Sequence, residues 1–309
     1  MKKPYLVYSK EAPLQVIDYY ESGFYPAERL RGGLKTVIVF PENDRKHEIP
    51  IGSVWVYDKR TDFNPDILKG DVGCGMTMGI IKGDIPDEAL AEKIFNILIK
   101  NDIKIGRGNH FIDLLTAHFQ FPEDTSTIVV HSHYSLENDN PSDYTSAIKH
   151  MQQGLDSRRR ILEIIFSDPE ITGVIYKDWT HNSVEMTNDN LIYRKGAFDL
   201  KKTDGEGLLA LNPYDGLYSY AGSNFKKFDS MPHAIGRKNT DLKADFSKIK
   251  KLFKEGKYEC WDIRASERPA GLDEEYKSGK DFLSIFWSNF RLFDSKQTFL
   301  KPKYVFYTG

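Results

Sequence analysis

Ile51-Gly52-Ser53-Val54-Trp55-Val56-Tyr57 and, a short way before it, Lys35-Thr36-Val37-Ile38-Val39-Phe40 are rich in β-branched and aromatic residues and bounded by Gly and Pro, the composition of short strands. The next regular stretch is of another kind. Pro86-Asp87-Glu88-Ala89-Leu90 through Leu98 has acidic residues in its first turn and Leu90, Ile94, Ile97 and Leu98 at helical spacing, which predicts an amphipathic helix. Working outward, Ile128-Val129-Val130-His131 reads as a strand. A second helix should start near Ser142-Asp143 and run through Ile148, Met151 and Leu155 towards Ile161, Leu162 and Ile165. Gly173-Val174-Ile175-Tyr176, Leu191-Ile192-Tyr193 and Lys303-Tyr304-Val305-Phe306-Tyr307 read as further strands, a Gly-rich stretch covers 205–222, and a lysine-rich helix is expected over 246–257. Strands and helices interleave without regular βαβ spacing, and no Pro/Ser-rich linker divides the chain. The expectation is an α+β fold, residues 1–309 forming a single domain of complex mixed β-sheets with surrounding helices.

The 309 residues are enough for one large core, and 43 Lys+Arg against 45 Asp+Glu leave a net charge of -2, so any nucleic-acid partner has to be met by a local basic face. No apolar run approaches the roughly 18 residues needed to span a bilayer, and the first residues lack a signal-peptide h-region, so the expectation is a cytoplasmic protein with no membrane partner. Two cysteines exclude a disulfide scaffold. Cys260, within Tyr258-Glu259-Cys260-Trp261, reads as a buried hydrophobe, whereas Cys74 lies between glycines in Asp71-Val72-Gly73-Cys74-Gly75, a setting suited to a ligand or nucleophile.

Eight histidines are present, and four stand among other special residues: His110 in Gly106-Arg107-Gly108-Asn109-His110, His131 at the end of a strand, His181 in Thr180-His181-Asn182, and His233 in Pro232-His233-Ala234-Ile235-Gly236-Arg237. With Asp71 and Cys74 they form a pool of thiolate, imidazole and carboxylate donors suited to a divalent transition metal. His47, His118 and His150 lie in ordinary contexts. Glycines flank the candidate ligands, where backbone N–H groups can approach an anion, and Arg194-Lys195-Gly196-Ala197 and Arg237 add cations. Metal, backbone amides and cations together point to phosphate chemistry. A closed structural zinc site would want paired CxxC spacings, and these are absent.

In order along the chain, Pro50-Ile51-Gly52, Asp71-Val72-Gly73-Cys74-Gly75, Gly106-Arg107-Gly108-Asn109-His110-Phe111, Val130-His131-Ser132, His181-Asn182, Arg194-Lys195-Gly196-Ala197, His233 with Gly236-Arg237, and the final Leu300-Lys301-Pro302 run resemble the RtcB family of RNA-splicing ligases. The resemblance implies an RtcB-like catalytic domain binding two Mn(II) ions (Mn2+) and GTP. Cys74 would bridge the ions, with Asp71 and His110 completing one site and His131 and His181 the other. Asn109 would contact the nucleotide phosphates; Asp113, Asn182, Arg194, Lys195 and Arg237 would line the nucleotide site. His233 would be the nucleophile that takes GMP from GTP. The implied partners are RNA ends, a 2′,3′-cyclic phosphate or 3′-phosphate and a 5′-hydroxyl, with an activating protein left open; Arg158-Arg159-Arg160 and the lysines of 248–257 are candidate phosphate-tracking patches.

The sequence departs from the family pattern at several points. The strand-end HSGSR motif reads His131-Ser132-His133-Tyr134-Ser135, the SHGAGR motif reads Pro232-His233-Ala234-Ile235-Gly236-Arg237, Asp113 stands for Glu, and Thr308 stands for the penultimate Lys. These changes fall on the nucleotide pocket and the RNA path rather than on the metal ligands. They keep open a metal-dependent 2′,3′-cyclic phosphodiesterase or a nucleotidyl transferase with altered nucleotide preference.

Overall fold

Strand alternation builds the central feature of the computed structural model, a seven-stranded sheet with one face towards helices and the other towards a smaller sheet. The structure describes residues 5–7, 15–17, 32–40, 49–83, 85–105, 110–133, 140–221, 230–237, 242–276 and 297–308. In chain order the strands are β1 (Tyr5–Val7), β2 (Gln15–Ile17), β3 (Leu34–Val39), β4 (Ser53–Asp58), β5 (Gly75–Ile81), β6 (Phe111–Leu115), β7 (Ser126–Ser132), β8 (Gly173–Thr180), β9 (Asn182–Met186), β10 (Asn190–Lys195), β11 (Ala197–Asp199), β12 (Glu206–Asn212), β13 (Gly216–Ala221), β14 (Ser230–Pro232), β15 (Lys250–Glu255), β16 (Tyr258–Asp262), β17 (Gln297–Leu300) and β18 (Pro302–Thr308). The helices are α1 (Asp87–Lys100), α2 (Tyr144–Phe166) and the short α3 (Leu272–Glu275).

The large sheet runs β15-β16-β18-β6-β7-β5-β8 with every pair antiparallel. A six-stranded sheet runs β2-β1-β3-β4-β10-β9, antiparallel but for the β1–β3 pair; a three-stranded sheet runs β12-β13-β17, and β11 pairs with β14. Mostly antiparallel sheets with a few helices make the fold α+β.

Period-two alternation decides which residues share a face. On β7, Ile128 and Val130 pack with Leu90 and Ile94 of α1 and Leu162 and Ile165 of α2. Val129, between them, joins Met76 and Met78 of β5 and Leu208 and Leu217 of the three-stranded sheet on the other face. α1 starts at Pro86 with Asp87 and Glu88 in its first turn, where negative charge suits the helix dipole. α2 begins on a capping box: the Asp143 side chain accepts from the Ser146 N–H, and the Ser146 hydroxyl reaches back to the Asp143 N–H.

Two expectations are corrected. Residues 246–257 are not a helix; a 3-10 turn at Phe246–Lys248 leads into β15, which pairs with β16 around Gly256 at φ 55. The positive φ suits a hairpin turn, and exposed Lys250, Lys251 and Lys254 charge an edge strand of the large sheet, a common guard against edge-to-edge pairing. Arg158 is also not part of a basic surface. It is fully buried on the stripe of α2 that includes Gly154, Ile161, Leu162 and Ile165, while Arg159 and Arg160 are exposed. Cys260 lies in the core beneath α1, as its neighbours suggest. Among the described residues no helix is long and apolar enough to cross a membrane.

Candidate metal centre and active site

The register of β5, β6, β7 and β8 gathers the special residues at one end of the large sheet. Gly75, the first residue of β5, pairs with Ser132 at the end of β7 and with Thr180 at the end of β8, and Phe111 at the start of β6 pairs with His131. Cys74, His110 and His181 each flank one of these strand ends, and His131 sits on β7 beside them. The His181 N–H donates to the Cys74 carbonyl at 2.9 Å and the Gly73 N–H to the Asn182 carbonyl at 2.9 Å, so the loop before β5 and the β8–β9 corner are tied together.

Helix α2 presses on the same loop. Gly73 has φ 79, and a Cβ there would lie 2.8 Å from the His150 carbonyl; a Cβ on Gly154 would lie 2.5 Å from the Gly73 carbonyl. Both positions need glycine for this approach. The Arg158 guanidinium then donates to the Gly73 carbonyl at 2.7 Å and the Ser132 carbonyl at 2.9 Å, and its other nitrogens meet Thr77, Thr180 and Asp178. One buried cation thus fixes the spacing between the chain carrying Cys74 and the chain carrying His131.

Cys74 Sγ lies 3.6 Å from His110 Nε2 and 3.4 Å from His131 Nε2. Tetrahedral coordination with metal–sulfur about 2.3 Å and metal–nitrogen about 2.0–2.1 Å sets sulfur and nitrogen about 3.6 Å apart, so these spacings fit one ion. Among the described residues, two triads have donor atoms within 4.8 Å of one another, Cys74-His110-His131 and His131-His181-His233; His131 is common to both. The fit is also chemical. His110 Nδ1 and His181 Nδ1 are buried and have no hydrogen-bond partner among the described residues, a cost of about 1–3 kcal/mol each unless ring placement serves a ligand. Burial, and then neighbouring His133, holds the His110 pKa down at about 4, and burial with His233 and His131 nearby pushes His181 well below the usual imidazole range. Neutral imidazoles are the form that binds metal. Burial, reinforced by Asp71, raises the Cys74 thiol to about 12, so metal binding has to displace its proton.

His233 is placed by the β11–β14 pair. Its Nδ1 lies 3.0 Å from the Gly196 carbonyl, which can only accept, so Nδ1 carries the proton and Nε2 the lone pair. Its ring centroid is 4.0 Å from that of His181. Gly196 itself has φ 67, and its N–H donates to Asn182 Oδ1 at 2.6 Å.

These residues line a cleft of about 830 Å³. Asp71, Cys74, His110, Asp113, His131, His181, Asn182, Lys195, His233 and Arg237 all border it. Several are committed within the protein. The Asp71 carboxylate forms an ion pair with Lys195, whose ammonium also donates to the Lys69 carbonyl at 3.1 Å; the Asn182 amide donates to the Asp71 carbonyl at 3.2 Å. Arg237 reaches Glu275 at 3.5 Å and lies over the Tyr276 ring. Asp113 is buried, its Oδ1 without a partner among the described residues, and burial raises its pKa well above the carboxylate range. Arg194 is not on the cleft wall: it is buried against Ser230, Glu185 and Asp199. Thr308 is buried and its hydroxyl accepts from the Ile105 N–H at 2.9 Å. Asn109 and the glycines at 106 and 108 lie outside the described residues, as does His47.

Four contributors to the site were not assigned to it from sequence. His133 touches His110, with Nδ1 3.0 Å from His110 Nε2; strand periodicity, which sets 131 and 133 on one side, is the signal for it. Arg158 is readable from its place on the apolar stripe of α2. Tyr276 and Tyr307, which line the far part of the cleft, carry no such local signal. No protein-family model matches the chain, and no curated protein matches it.

Proposed function

We propose that the cleft is a nucleotidyl-transfer site and that the protein is a Mn(II)- and GTP-dependent RNA ligase of RtcB type, joining a 3′-phosphate or 2′,3′-cyclic phosphate end to a 5′-hydroxyl end. The observation that carries this reading is the Cys74-His110-His131 donor triad, with His181 beside His131, set against a histidine, His233, whose protonated nitrogen is anchored on Gly196 and whose other nitrogen holds the lone pair. The residues that would hold two divalent ions are Cys74, His110, His131 and His181, with Asp71 at the rim. Bound there, such ions would neutralise phosphate charge and stabilise in-line displacement.

In this reading His233 Nε2 attacks the α-phosphorus of GTP, the bond to the bridging oxygen breaks, and pyrophosphate leaves. The Gly196 carbonyl keeps the ring oriented as positive charge develops on it. A cyclic phosphate end is first opened by water to a 3′-phosphate. An oxygen of that phosphate then attacks the guanylate phosphorus, His233 departs as a neutral imidazole, and the RNA end is activated. The 5′-hydroxyl finally attacks the RNA phosphorus and GMP leaves. Lys195 and Arg237 supply positive charge beside the phosphates. The aromatic wall with Tyr276 and Tyr307 offers stacking, and Asp113, neutral through burial, offers a hydrogen-bonding carboxyl to a base edge.

Incubation with Mn(II) and α-labelled GTP should label the protein covalently, and His233→Ala should abolish the label. Full labelling of that variant overturns the assignment. A second reading, opening of cyclic phosphates without joining, is favoured by Thr308, which is spent on Ile105 where the family presents a lysine. Joined product from the two RNA ends and GTP rejects it.

A further inference from the structure

We propose that Asn182 is a positioning residue for His233, acting through Gly196, rather than a ligand of the nucleotide. This rests on the reading of His233 as the nucleophile and names what holds its ring in place. Asn182 borders the cleft, yet it is only 3% exposed, and both polar ends of its side chain are engaged within the protein.

Asn182 opens β9, where it pairs with Lys195 at the end of β10, so its side chain stands beside the turn that Gly196 makes into β11. Asn182 Oδ1 accepts from the Gly196 N–H at 2.6 Å, and Asn182 Nδ2 donates to the Asp71 carbonyl at 3.2 Å. The Gly196 carbonyl then accepts twice from residue 233, from the backbone N–H at 3.1 Å and from ring Nδ1 at 3.0 Å. Backbone and ring of His233 therefore hang on one carbonyl, and the lone pair stays on Nε2 while that carbonyl is aimed at Nδ1.

Gly196 is the place in this relay that needs a clamp. Its φ of 67 suits glycine, the residue with the widest choice of other conformations. A Cβ there would lie 2.5 Å from Ile51 Cγ2 and 3.2 Å from His233 Nδ1, so a larger residue cannot stiffen the turn. On either side the backbone holds itself: the Lys195 carbonyl accepts from the Gly52 N–H at 2.8 Å, and the Ala197 N–H donates to the His181 carbonyl at 2.9 Å. The Gly196 N–H is held by the Asn182 side chain instead. An amide turned towards a phosphate would release that N–H, leaving a buried donor unpaired at a cost of about 1–3 kcal/mol.

The test follows covalent labelling of Asn182→Ala and Asn182→Asp with Mn(II) and α-labelled GTP. Beside it, the His233 tautomer is read in metal-free protein by NMR of isotope-labelled ring nitrogens, assigned by the signal missing from His233→Ala. Asn182→Ala should slow labelling at saturating GTP by about tenfold or more, change the KM for GTP by less than about twofold, and let the Nε2-protonated tautomer appear. Asn182→Asp keeps an acceptor for the Gly196 N–H, so it should recover most of the rate and hold the proton on Nδ1. A phosphate contact predicts the opposite order: Asn182→Ala raises KM at unchanged rate, and Asn182→Asp, which sets negative charge against the phosphates, is the worse of the two. That result, or an Asn182→Ala protein with wild-type rate and tautomer, overturns the proposal and leaves the ligase reading standing. If Asn182→Ala does not fold, Asn182→Asp decides between the same two outcomes. If the wild type takes no label, the ligase reading falls and the tautomer alone decides: a change confined to Asn182→Ala supports the positioning of the ring, and one unchanged signal in all three proteins overturns it.

Discussion

Among the described residues, two buried groups of polar side chains contain histidine, and they are finished differently. At the cleft, His110 and His181 each keep a buried ring nitrogen without a hydrogen-bond partner among the described residues, and the Cys74 sulfur faces the His110 and His131 imidazoles. Around His118, by contrast, Nε2 meets Ser219 Oγ at 2.8 Å and Glu206 at 3.0 Å, and Nδ1 accepts from the Gln120 N–H at 3.3 Å. Glu206 in turn receives the Tyr176 hydroxyl at 2.6 Å and the Lys177 ammonium at 3.2 Å. Burial pushes the Glu206 pKa up, but these hydrogen bonds outweigh it and hold the carboxyl below its usual range. In the His118 cluster both ring nitrogens are met from within and only Glu206 Oε1 falls short of a hydrogen bond, while keeping its ion-pair distance to His118; at the cleft it is the imidazoles themselves that keep nitrogens to spare.

The sharpest way to break this contrast is Cys74→Ala. Removing the thiolate takes away the donor beside both His110 and His131, so the loss in Zn(II) or Mn(II) affinity should be about 100-fold or more, with guanylylation lost and the fold kept. Metal analysis of the dialysed variant checks it, and retention of both ions would mean the sulfur is packing. Because the thiol is raised to about 12, ion uptake by the wild type should release protons, and apparent affinity should climb with pH across the neutral range.

Arg158→Met comes next and joins the two regions, since the guanidinium is structural while the loops it holds are the cleft's. Its loss leaves Asp178 without its buried partner and releases Gly73 and Ser132, which predicts about 3–5 kcal/mol of destabilisation. Ion affinity of the folded fraction should fall as well. Denaturant unfolding of metal-free protein measures the first effect; an unchanged midpoint would show that the spacing of the two chains does not depend on this cation.

What could be read before the structure divides along the same line. Both long helices were legible, because apolar spacing and start signals at Pro86 and Asp143 are local. The strands at 128–131 and 303–307 were legible for the same reason. The lysines of 250–257 misled because charge spaced along an edge strand can imitate a helix face, and only pairing with β16 separates the two. Cys74 and His110 stood out by the glycines near them and His131 and His181 by the short runs of other special residues around them, but the meeting of the four depends on the β5–β7–β8 register, a long-range property that no local pattern encodes. Arg158 was hidden by its neighbours Arg159 and Arg160: composition marks a basic triplet, and only the helical phase shows that one of them turns inward.

His118→Ala tests the other side of the comparison. It removes the partner of Ser219 and one partner of Glu206 in a sealed site, so stability should drop by about 1–3 kcal/mol while ion binding and labelling stay as in the wild type. Urea unfolding beside a Zn(II) isotherm decides it. A variant of unchanged stability, or one that loses ions, would erase the distinction between the two clusters.

The last test separates the clusters by pH alone. In metal-free protein His110 is held at about 4 against an unfolded value of 6.5, so the unfolded chain binds its proton first as the pH falls. The sign follows: the folded state loses stability as pH drops below 6.5 and the loss levels off near 4, at about 1.4 kcal/mol per pH unit for this one group. Glu206 has the same sign in a lower window, since its carboxyl is depressed and its contribution fades only as acid reaches the carboxylate range. Saturating Zn(II) should suppress the upper phase, because bound imidazoles resist protonation until the ion leaves, and should not touch the lower one. Unfolding midpoints followed from pH 7 downward, with and without the ion, should therefore diverge first in the His110 window; superimposable curves there would place His110 outside the metal centre.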